Sequence, residues 1–127
     1  MNNLLLLVAR ILLSVMFIMA GFQKFGDLAG TAGYISSVGL PAGALLAPLS
    51  GALEVLAGLA VLVGFQTRIA AWLLAAFCVV TALFFHFAPA DMMQMLMFTK
   101  NMAIAGGFLA LSVAGAGAWS VDGRRRG

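Results

Sequence analysis

The chain has 127 residues, 64% of them hydrophobic and 9% charged, with seven Lys and Arg against four Asp and Glu. Soluble domains carry roughly a quarter charged residues, so this chain lacks the polar groups for a water-facing surface, and its mean hydropathy of +1.11 places it in a membrane. The apolar runs are continuous rather than alternating, which excludes a β-barrel and predicts an all-α transmembrane four-helix bundle; the length allows one domain over 1–127.

The first span is expected at about 4–23, carried by "LLLLVARILLSVMFIMAGFQ". It is short and apolar like a leader, yet it lacks a basic start and holds Arg10 inside the run, so it is expected to stay as a helix. Arg10, Ser14, Phe17, Gly21 and Lys24 recur at helical spacing on one stripe. Residues 26–41, "GDLAGTAGYISSVGLP", are too polar to span and close on Pro41. A short interfacial helix through Leu28, Ile35 and Val38 fits them.

The second span is expected at about 42–63, with Ala47, Ser50, Gly51, Glu54, Ala57 and Gly58 on one face. All but the carboxylate are small, and small stripes let membrane helices approach closely, so Glu54 should face the bundle. "GFQTR" at 64–68 is a tight turn into a third span at about 68–87, whose small stripe is Ala71, Ala75, Cys78, Ala82 and His86. "FAPAD" at 87–91 breaks at Pro89 before a fourth span at about 92–111. There the stripe reads Lys100, Ala103, Gly107, Ala110 and Ala114, and a basic tail follows at 120–127.

Arg68 and Arg124 to Arg126 share one side of such a bundle, and Lys24 with Asp27 lies on the other. Basic loops stay inside, so both termini are expected in the cytoplasm, with 24–41 and 87–91 outside. Trp119 then fits an inner interfacial anchor and Tyr34 an outer one.

The depths of the charges can be counted along each helix. From the inner boundary, Arg10 lies at roughly 9 Å, Glu54 at roughly 15 Å and Lys100 at roughly 21 Å. An unpaired charge at mid-membrane costs at least ~2.5–3.5 kcal/mol, so the count predicts a buried network in which Arg10, Lys100 or both neutralise Glu54. Lys24, His86, Lys100 and Asn101 gather toward the outer mouth as candidate ligand-binding residues for an anion or an electron-rich carbonyl. Glu54 is a candidate proton relay. Each has a structural reading too: Glu54 as a clamp between helices, Lys24 as a snorkelling cation, His86 as a water-facing side chain.

Other chemistries are excluded. The lone Cys78 makes no internal disulfide or C-x-x-C pair. One His, one Cys and no clustered carboxylates make no zinc, haem or di-iron site, so no metal is expected. The isoelectric point near 9.8 does not signal nucleic acid, because no basic patch is interleaved with aromatics.

"ARILLSVMFIMAGFQKFG", "VGLP", "EVLAGLAVLVGFQTRIAAWLLA", "FFHFAP" and "TKNMAIAGG" together resemble the DoxX family of small bacterial membrane proteins. The most specific positions are Arg10, Gly21, Lys24, Glu54, Gly64, Arg68, Lys100 and Asn101. The resemblance implies a multi-pass inner-membrane protein linked to sulfur and quinone redox chemistry, as in the membrane subunit of thiosulfate:quinone oxidoreductase. The residues themselves offer no cofactor ligand set or cysteine pair, so no intrinsic cofactor is expected; quinone is the candidate, and a soluble or membrane oxidoreductase subunit, membrane lipid or a second copy are the candidate partners. Three readings stay open: a redox-linked subunit with a quinone or anion site, a non-catalytic scaffold, and a small-anion or metabolite carrier. If an enzyme at all, the chain is a membrane subunit of one, since the sequence holds no self-contained cofactor site.

Overall fold

The computed structural model describes residues 2–125, without the side chain of Arg125. Arg126 and Gly127 of the expected basic tail lie outside the described residues. Six helices follow one another: α1 (Asn2–Gly26), α2 (Leu28–Ser37), α3 (Gly43–Val63), α4 (Thr67–Thr81), α5 (Met92–Ala114) and α6 (Val121–Arg125). A π-helical turn, Ala82–His86, extends α4. Four of these, α1, α3, α4 with its π turn, and α5, are long and apolar enough to cross a membrane.

Each boundary has a local cause. Asp27 ends α1 and caps α2, its carboxylate accepting from the Gly30 N–H at 3.0 Å. Gly64 ends α3 at φ +75°, with its own N–H on the Val61 carbonyl and the Phe65 N–H on the Ala60 carbonyl at 2.8 Å. That pair of bonds closes a helix only when the residue after it is left-handed, which favours glycine. Asp91 caps α5 through the N–H groups of Met93 and Gln94. The π turn follows Thr81, whose hydroxyl donates to the Phe77 and Cys78 carbonyls and so loosens the ladder.

The bundle is built of two closely packed antiparallel pairs, α1 with α3 and α4 with α5. Glycine permits the first: a Cβ on Gly21 would stand 2.5 Å from Val55 Cγ2, and one on Gly58 would stand 2.9 Å from Ile18 Cγ1. The buried positions of α1 are Arg10, Ser14, Phe17 and Gly21, the stripe read from the sequence. Those of α3 and α4 include Gly51, Glu54, Ala57, Gly58, Ala71, Ala75 and Cys78. Phe17 of α1 meets Phe108 of α5 edge-on, with centroids 5.5 Å apart, and ties the two pairs together. Leu12, Leu56 and Val113 point outward and are exposed, as helices solvated by lipid require. The first turns of α3 overhang α1 and rest on α2, where a Cβ on Gly43 would meet the Ala32 carbonyl at 2.5 Å.

The fourth span departs from expectation. Its buried residues are Ala105, Phe108 and Leu111, while Lys100, Ala103, Ala110 and Ala114 are exposed and Gly107 half-buried. The small stripe therefore faces away from the core. Large side chains of α5 fill the space left by Ala70, Ala71 and Ala75 on α4, so the close approach comes from one helix of the pair.

Candidate functional site

Glu54 is 2% exposed at the middle of α3, and it forms a salt bridge with Lys24 of α1, whose side chain keeps 26% exposure. Neither Arg10 nor Lys100, the counter-ions expected singly or together from the spacing of the charges, is its partner. Two features of backbone geometry decide the matter. Because α3 overhangs α1, Lys24 lies beside Gly51, where an added Cβ would be 3.4 Å from the Lys24 Cβ, and not at a rim above the network. Helical Cα–Cβ bonds also lean toward the N-terminus. In an antiparallel pair Lys24 leans toward Glu54 and Glu54 toward Lys24, while Arg10 leans away toward the opposite end.

Arg10 is 1% exposed and works at that opposite end. It donates to the Leu62 carbonyl at 2.9 Å, to Val61 at 3.5 Å and to the Trp119 carbonyl at 2.5 Å. The Leu62 carbonyl is one that the end of α3 leaves without a helical partner, where a cation is also favoured by the helix dipole. Arg68 does the same for α5, donating to Val113 at 2.8 Å and Ser112 at 3.1 Å. Asp122 of α6 caps α4 from a distance in sequence, accepting from the N–H groups of Gln66 at 2.8 Å and Thr67 at 2.9 Å. Helix ends that face lipid headgroups are thus closed by side chains from other elements. Asp122 was not singled out from the sequence; its signal is an acid standing alone before three arginines.

The remaining candidates scatter. Lys100 is exposed and has no hydrogen bond or ion pair among the described residues, so it is no part of a buried network. Asn101, about 100° further round the helix, turns inward and donates to the Thr81 hydroxyl at 3.4 Å. His86 Nδ1 lies 2.8 Å from Gln94 Oε1, a bond between the π turn and the first turn of α5. Beside it Tyr34 of α2 stacks on Phe85 at 5.1 Å, which holds α2 against the π turn.

Among the described residues Lys24 with Glu54 is thus the ionisable pair that closes inside the span, and the similarities of the chain cover it. The DoxX family matches residues 5–87, a stretch that contains Arg10, Lys24, Glu54, Arg68 and His86 and stops before Lys100 and Asn101. The chain belongs to the DoxX family. Inner membrane protein YqjF of Escherichia coli (strain K12) is 46% identical, over 91% of this chain and 88% of its own length. Inner membrane protein YphA of the same organism is 38% identical, over 94% of this chain and 89% of its own. No solved structure matches the chain. With its four spanning helices, this DoxX protein is a multi-pass protein of the bacterial inner membrane.

Proposed function

We propose that the protein is the membrane subunit of a redox-linked assembly and that the Lys24–Glu54 pair is where it meets a quinone headgroup. The supporting observation is a carboxylate 2% exposed at mid-span against a lysine that keeps a quarter of its surface open. An ammonium carries three donors; Glu54 engages one, and the exposed side leaves donors for a carbonyl oxygen or an anion. A bound quinone would take two electrons, from a partner subunit, and two protons. Lys24 would orient the carbonyl and stabilise negative charge on it, and Glu54 would hold a proton at its carboxylate for transfer. In this reading both termini face the cytoplasm, on the strength of Arg68 and Arg124 to Arg126 at their end, and a soluble partner supplies the electrons.

The test separates chemistry from scaffolding. Removing one member of a buried pair leaves an orphan charge, whereas removing both does not. The Lys24→Met/Glu54→Gln double variant should therefore fold as the parent does. Titrated with a short-chain ubiquinone in nanodiscs, the parent binds and the double variant does not. Binding by neither, or equal binding by both, removes the quinone reading and leaves the pair as a clamp between α1 and α3.

A further inference from the structure

We infer that the end of the bundle carrying α6 holds a preformed site for the headgroup of an anionic phospholipid, between Trp119 and Arg124. A groove of about 440 Å³ lies there, lined by Val63, Ala118, Trp119, Ser120, Val121 and Arg124. Trp119 is 54% exposed. Arg124 is exposed and has no side-chain partner among the described residues. Indole rings settle at headgroup level, and arginine recognises phosphate through its planar fork.

The backbone of this segment is fixed residue by residue. Ala118 N–H donates to Asn3 Oδ1 at 3.1 Å, and the Trp119 carbonyl accepts from the buried Arg10. Ser120 Oγ donates to the Gly117 carbonyl at 2.6 Å and accepts from Gly123 N–H at 2.9 Å. Asp122 N–H donates to the Gly64 carbonyl at 2.8 Å. Gly64 leaves room for the arrangement, since a Cβ there would stand 2.3 Å from Ser120 Cβ and 2.7 Å from Arg10 Nη1. A tail serving only as a topology signal needs none of this order. Here a buried arginine holds the carbonyl of the aromatic anchor, and the same six-residue stretch presents the free cation.

The charge at this end selects the occupant. Asp122 is engaged by the N-terminus of α4, and Arg68 by the C-terminus of α5, which leaves Arg124 as the unmatched described charge beside the groove. Val63 and Val121 line the same groove and suit the first acyl carbons below a phosphate. An acidic lipid satisfies both parts, whereas a zwitterionic one places a second cation against Arg124.

The test uses Trp119 as reporter in a Trp72→Phe background, since the chain has two tryptophans. The protein is placed in nanodiscs containing either brominated phosphatidylglycerol or brominated phosphatidylcholine as a minor component. Quenching of Trp119 by the anionic lipid should exceed that by the zwitterionic lipid by about fivefold. Arg124→Gln should bring the ratio close to one, and Arg124→Lys should keep most of it. A ratio near one in the parent, or a ratio that Arg124→Gln leaves unchanged, overturns the proposal.

Discussion

Glu54 and Arg10 are both buried ions inside a span, and the protein stabilises them differently. Glu54 meets an opposite charge, while Arg10 meets backbone carbonyls at a helix end. The difference follows from which way each side chain leans. Glu54→Gln leaves Lys24 beside a neutral amide, and Lys24→Met leaves a carboxylate with no cation; the second should cost more, about 3 kcal/mol or above, read as the fall in thermal midpoint in detergent. Gly64→Ala is expected to be similarly severe, because the residue sits at φ +75° and a methyl group collides with Ser120 and Arg10. Its loss should appear as faster hydrogen exchange across 116–122, with α2 unaffected.

Among the elements, spans and faces were legible where one side was uniformly small. The stripes of α1, α3 and α4 are buried as the spacing of Ser14, Gly21, Gly51, Ala57, Gly58, Ala71 and Ala75 implies. On α5 the same rule points the wrong way, because the helix contributes Phe108 and Leu111 to a groove of alanines on α4. Size alone does not say which partner of a close pair is the small one. The choice of Lys24 over Arg10 was hidden for another reason: the overhang of α3 past α1 sets the register, and no feature of either helix alone reveals it. Asp122 depends on a contact across more than fifty residues. Asp122→Ala should cost about 1 kcal/mol, as losses of helix caps do, and should expose the Gln66 and Thr67 amides to exchange while α1 and α3 stay protected.

For the whole molecule, the two ends of the bundle differ in kind. One is closed by Arg10, Arg68 and Asp122 at helix termini; the other is covered by α2, which the Tyr34–Phe85 stack holds against the π turn, while the His86–Gln94 bond ties that turn to α5. The proposed orientation predicts that a fluorescent protein fused to the C-terminus glows and that alkaline phosphatase fused there is inactive. The central claim is that Lys24, and neither Arg10 nor Lys100, neutralises Glu54. A double-mutant cycle on thermal stability in detergent tests it most directly, with Lys24→Met and Glu54→Gln alone and together, beside Lys100→Met with Glu54→Gln. The account predicts a coupling of about 2 kcal/mol for the first pair, with the double variant closer to the parent than Lys24→Met alone, and additive behaviour for the second. Additive losses at positions 24 and 54, or coupling between 54 and 100, would contradict it.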